Sequence, residues 1–178
     1  MIYLTLILAM NTINTPLSFN FNQLTDKQAI IVNDSVMGGR SSSQFSIEKE
    51  HLNFNGSVSL ENNGGFASLR MLWPFESVEG FNKVQLKIKG DGKSYQFRLR
   101  TNRGFDGAAY SYEFQTIKDE LISIEIDVNQ FVPGFRGRTL RNMPELRFED
   151  VKQMGLLIAD KQVGSFNIDL KSIKLLLD

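Results

Sequence analysis

From Leu17 onward the chain alternates apolar and polar positions with a period of two. In "FNKVQLKIKG" Val84, Leu86 and Ile88 point one way, and Gln85, Lys87 and Lys89 the other. "SYQFRLRT" sets Tyr95, Phe97 and Leu99 against Gln96, Arg98 and Arg100, and "AYSYEFQT" groups Tyr110, Tyr112 and Phe114. "LISIEIDV" and the closing "SFNIDLKSIKLLLD" repeat the pattern, and "HLNFNGSVSL" adds one more such run. Between them lie "GDGK", "NRGFDG", "KDE" and "ADKQVG", all turn chemistry. No long helical period competes, and only residues 22–28 and 144–154 leave room for a helical turn or two. Roughly eight to eleven short strands joined by polar turns predict an all-β antiparallel sandwich, with helix below about a tenth of residues. The 178 residues suit one domain, residues 17–178.

Residues 1–16 stand apart. "MIYLTLILAM" has the length of a signal-peptide core but is too short to span a bilayer, and no Lys or Arg precedes it. The expectation is an apolar leader or signal segment. A cytoplasmic or membrane-associated protein is favoured, and an exported one if the segment acts as a signal.

Composition narrows the chemistry. Lys plus Arg equals Asp plus Glu at 20 each, so no net basic field points to nucleic acid. With no cysteine, thiol nucleophiles and thiolate metal sites are excluded. His51 is the single histidine, so a two-His metal site and most His-centred triads are excluded within one chain. Neither a cofactor nor a metal is expected. Turn aspartates such as Asp91, Asp106, Asp127 and Asp160 read as turn aspartates, and Trp73 as a filler at the rim of the core.

Two segments stand out. "VNDSVMGGRSSSQF", residues 32–45, lacks the Lys and following helix of a phosphate loop, the βαβ setting of a dinucleotide fingerprint and the acidic spacing of a calcium loop. What remains is a rigid turn, with a ligand loop as the alternative. In it Asn33 and Asp34 would bond backbone groups, and Gly38 or Gly39 would sit where a side chain is excluded. Arg40 would project from the loop's end and join Arg136 and Arg138 in one surface. Those two belong to "FVPGFRGRTLRNMPELR", residues 131–147, which holds Arg136, Arg138, Arg141 and Arg147 on an expected long loop. Such a loop suits binding of carboxylate, phosphate or peptide carbonyls. The alternative is a solvated loop paired with Glu145, Glu149 and Asp150.

Together with "GGFASLR", "GDGKSYQFRLRT", "FVPGFRGRTL" and "QMGLLIADKQVGSFNIDLKSI", the residue 32–45 segment resembles the complex I intermediate-associated protein 30 family over about residues 18–177. Ser35 stands where that family often carries Gly. The resemblance implies a galactose-binding-like jelly roll and a non-enzymatic, chaperone-like role in assembling a respiratory or other membrane complex. Its partner would be a protein client, a complex subunit or assembly intermediate, and no catalytic residue is implied. Asn33, Asp34, Met37, Gly38, Gly39, Arg40, Arg136 and Arg138 are the expected contact residues. The alternative is a carbohydrate or other small-ligand module, with Phe105, Phe131, Phe135 or an exposed Trp73 as stacking platform.

Overall fold

The computed structural model describes residues 15–104 and 107–178. The leader segment and the turn residues Phe105 and Asp106 therefore lie outside the described residues, save for Thr15 and Pro16. Among the described residues thirteen strands form: β1 Leu17–Phe19, β2 Ala29–Asn33, β3 Ser42–Glu48, β4 His51–Val58, β5 Ala67–Leu72, β6 Lys83–Lys89, β7 Ser94–Arg100, β8 Ala109–Gln115, β9 Leu121–Asp127, β10 Val132–Phe135, β11 Arg138–Thr139, β12 Gln153–Ile158 and β13 Gly164–Leu176.

Two antiparallel sheets result. The first runs β3-β4-β13-β6-β9 with β1 also on β13, and the second runs β11-β10-β8-β7-β12-β5-β2. The long β13 carries the first sheet. It pairs with β4 through Leu170 and with β6 from Asp169 onward, shifting register between Leu170 and Ser172. The fold is an all-β sandwich, as the period-two runs predict. The strand count exceeds eleven, because short pairings such as β1 and β11 give too few residues for a period to show. Helix reaches 11%, all of it in single 3-10 turns, three of which (Asp34–Met37, Glu61–Asn63, Val128–Gln130) lie outside the two expected stretches.

The inward positions of both sheets make one core. Phe54 of β4 and Tyr95 of β7 both pack on Phe166 of β13, at 5.0 and 6.5 Å between ring centroids, so the contact crosses the sandwich. Phe21, Phe97, Leu99 and Phe148 are likewise fully buried. Burial of a large apolar side chain stabilises by about 1.5–3 kcal/mol, so this interior holds the sheets rigid beneath whatever lies on their outer faces. One strand lacks alternation. All six residues of β12, a central strand of its sheet, are buried, and Leu157 on its outer face lines a groove.

Candidate functional site

The segment after β2 is a single 3-10 turn, Asp34–Met37, ended by Gly38 at φ 90°. The Asp34 carboxylate organises it. Fully buried, it accepts from Ser41 N–H at 2.9 Å, Gly65 N–H at 2.6 Å, Phe66 N–H at 3.2 Å and the Ser41 hydroxyl. Burial would raise its pKa, but the bonds from Ser41, Gly65 and Phe66 outweigh that and hold it below the ordinary carboxylate value. Gly39 and Gly64 lie directly over it. A Cβ on Gly39 would fall 2.4 Å from Asp34 Oδ1, and one on Gly64 2.6 Å from Oδ2. The two sequence blocks around residues 34–41 and 64–66 are thus one interlocked structure. Asn33 behaves otherwise than expected: its Oδ1 accepts from the Ser43 hydroxyl at 2.8 Å, a side-chain rather than a backbone partner.

This turn sends Val36 and Met37 outward, 61% and 63% exposed. They border a groove of about 1100 Å³ across the outer face of the second sheet. The paired registers place Ile30, Arg70, Gly155, Arg98, Ser111 and Val132 in one row from β2 to β10. A parallel row carries Val32, Ser68, Leu157, Gln96 and Glu113. At Gly155, in the first of these rows, a Cβ would meet Leu69 O at 2.2 Å. Arg70 and Arg98 flank it. Burial, and then the like charge of Arg70, pushes the Arg98 guanidinium down to about 10, still cationic at neutral pH, and its Nε has no hydrogen-bond partner. Arg100 lies deeper, 3% exposed.

The far border is β10 and β11. The expected long loop is here a tight hairpin: Gly134 pairs with Thr139 and Phe135 with Arg138. Arg136 at φ 47° and Gly137 at φ 76° make the two-residue turn, both in the left-handed region that a right-twisted hairpin requires. The Arg136 guanidinium stacks over Phe135, 5.2 Å from the ring centroid. Met37, Arg136 and Arg138 therefore line one groove. Arg40 does not join them, because it turns to Glu61 on the surface at 3.0 Å. Arg147 reaches Glu149 at 3.5 Å, away from the groove.

Sequence reasoning did not single out Arg70, Arg98, Arg100 or Gly155. The signal was present in "QFRLR", whose polar face holds two arginines, but only strand pairing sets "SLRM" beside it across Gly155. Among the expected stacking platforms, Phe131 is buried, and Trp73 packs between Phe75 and Phe148 outside the groove. Asp91 ties a turn together, accepting from Tyr95 OH, Lys93 N–H and Asn167 N–H. His51 lies 3.7 Å from Asp169. Among the described residues no group of three or more His, Asp or Glu is placed to hold a metal, and no helix is long and apolar enough to cross a membrane.

Residues 19–170 match the model of the family described as Complex I intermediate-associated protein 30 (CIA30). The uncharacterized protein C9E9.15 of Schizosaccharomyces pombe is 26% identical over 166 residues, which cover 80% of this chain and 75% of that one. A probable mitochondrial complex I intermediate-associated protein 30 of Caenorhabditis elegans is 25% identical over 121 residues, covering 66% of this chain but 35% of its own length. The chain thus spans only about a third of that relative. Among solved structures, the family 11 carbohydrate-binding module of a Clostridium thermocellum cellulosomal cellulase superposes with a TM-score of 0.67 at 15% identity, covering 93% of this chain and 96% of that one. A family 11 module from the same organism, in complex with a β-1,3-1,4-mixed-linked tetrasaccharide, gives 0.63 at 16% identity, with coverages of 91% and 95%. At such identities the likeness shows a common fold.

Proposed function

The chain belongs to the complex I intermediate-associated protein 30 family, and from that premise we propose that it is a non-catalytic module that docks a client protein. The client is a respiratory-complex subunit or assembly intermediate, and it lies in the groove on the second sheet. The observation that carries this reading is the convergence of the Val36–Met37 turn and the Arg136–Gly137 hairpin on opposite borders of that groove. Two apolar side chains held in water by a rigid turn suit a protein partner, whose burial of them would supply most of the affinity.

The carbohydrate alternative draws on the modules that share the fold. Its difficulty is that the described residues of the groove offer no open aromatic platform: Phe66, Tyr112 and Phe135 are half-buried, and Phe135 already carries Arg136 on its ring. Affinity capture from membranes containing complex I, followed by mass spectrometry, tests the two. The wild type should enrich complex I subunits or intermediates, and Met37→Asp or the pair Arg136→Ala, Arg138→Ala should lose them with the fold intact. Unchanged capture by these variants, together with calorimetric binding of the mixed-linkage tetrasaccharide, would give the groove to sugar.

A further inference from the structure

The first sheet ends at β9, and among the described residues no strand pairs with its far side. Two bonds orient the backbone there. Val128 N–H reaches Asn82 O at 2.8 Å, on the β6 side, whereas Asp127 N–H turns to Gln130 Oε1 at 2.8 Å. Directions alternate along a strand, so Ile122, Ile124 and Ile126 bond toward β6. Leu121, Ser123 and Glu125 therefore aim their N–H and C=O groups outward, and all three are exposed. The usual defences of a free edge are missing. "LISIEID" holds no Lys, Arg, Pro or Gly, and its register with β6 runs unbroken from Leu121 to Asp127. Other edges differ: β3 meets β2, where the Ser43 hydroxyl donates to Asn33 Oδ1, and β11 is only Arg138–Thr139.

We infer that this edge takes an extended, basic segment of a partner protein as an added strand. The side chains of β9 set its pattern. Ile122 and Ile124 pair with Ile88 and Leu86, which are fully buried, yet are themselves only partly covered. Aliphatic residues on the inner face of the newcomer complete that cover. On the outer face Leu121 is 62% exposed, and Ile117, just before the strand, 50%, so that end suits an apolar neighbour. Lys87 and Lys89 already stand opposite Ser123 and Leu121 on β6. Glu125 accepts from the neutral Gln85 amide at 2.8 Å and has no salt bridge among the described residues. A Lys or Arg of the newcomer belongs there. A second copy suits the edge poorly. β9 holds two carboxylates, Glu125 and Asp127, and no cation, so pairing with its own copy would gather four carboxylates and answer none.

Selection from a random peptide display library on the full chain tests the edge. Wild type should enrich peptides with alternating aliphatic residues and a Lys or Arg between them. A selected peptide should slow amide exchange at Leu121, Ser123 and Glu125. Ser123→Pro removes one outward N–H and leaves the β6 ladder intact. It should melt close to wild type and bind the peptide more weakly by about tenfold or more. Glu125→Lys, at an exposed position, should weaken the basic peptide similarly. It should also bind a version carrying Glu in place of that Lys better than wild type does, which loss of structure would not produce. Peptides selected without Lys or Arg, unchanged exchange at the three amides, or a Glu125→Lys affinity equal to wild type overturn the inference. So does binding lost with Met37→Asp but kept with Glu125→Lys, which would place the peptide in the groove. A wild-type dimer in sedimentation that protects the same amides without peptide would give the edge to a second copy and overturn the partner assignment. Leu121, Ser123 and Glu125 do not line the groove, so failure here leaves client docking in the groove standing.

Discussion

At the scale of single residues, Asp34 explains why an Asn-Asp and Gly-Gly sequence sits where it does. Its carboxylate receives three backbone N–H groups and one hydroxyl, and the two glycines over it are close contacts that admit no side chain. Asp34→Asn keeps the shape but turns an N–H₂ toward donors, so we expect a loss of about 2–4 kcal/mol in urea unfolding. Gly39→Val should cost on the order of 1–3 kcal/mol, since its Cβ must displace Asp34 rather than water. Acid should act through the same group. A carboxylate held below its ordinary value of 3.8 contributes stability that is present above that pH and is lost as the pH falls through the lowered value. Asp169, lowered by bonds from Asn53 and Lys171 against the opposing effect of burial, adds to the same acid limb. Unfolding midpoints measured below about pH 4 should therefore fall more steeply in the wild type than in Asp34→Asn. Equal slopes would show that Asp34 is not the group that titrates with folding.

At the scale of elements, the strands legible in the sequence are those with one wet face. β6, β7, β8, β9 and β13 show alternation because the sheet separates an oily side from water. β12 shows none, because both of its faces are buried, and a run such as "MGLLI" carries no periodic mark. The signature turn was legible as a rigid turn, since Asn, Asp and Gly state their backbone preferences locally. The arginine floor was not legible, because it arises from pairing between β5, β12 and β7, and strand order is not written in any one strand. The arginine hairpin looks like a loop in the sequence because β11 spans only Arg138–Thr139. Two predictions separate structural from functional parts at this scale. Gly155→Ala should open the β12–β5 pairing, since its Cβ would lie 2.2 Å from Leu69 O, and cost roughly 2 kcal/mol or more. Arg136→Ala with Arg138→Ala should leave the melting temperature within a degree or two, because both side chains are exposed and exposed substitutions stay within about 0.5 kcal/mol. A large fall in the latter would make the hairpin arginines part of the scaffold.

For the whole molecule, the division of labour runs between the two sheets. The first sheet is built on β13, which pairs with β4, β6 and β1. The second supplies the groove on its outer face, and its inner face is welded to the first by contacts such as Tyr95 on Phe166. The groove is therefore rigid from below, and its borders are short turns pinned by Asp34 on one side and by a two-residue hairpin on the other. Such a platform needs its full core but little beyond it. The first described strand, Leu17–Phe19, pairs with Leu175–Ile173, and among the described residues the first fully buried side chain is Phe21. Pro16, just ahead of that strand, lacks the N–H to extend a ladder. Deleting residues 1–16 should accordingly leave a domain that unfolds in one cooperative step, with the same midpoint and denaturant slope as the full chain. A lowered slope would mean that less surface is buried without those residues, and a lost transition that they complete the core. Either outcome would move the domain boundary upstream of Leu17. If the midpoint is unchanged and client capture is unchanged with it, folding and binding both reside in residues 17–178.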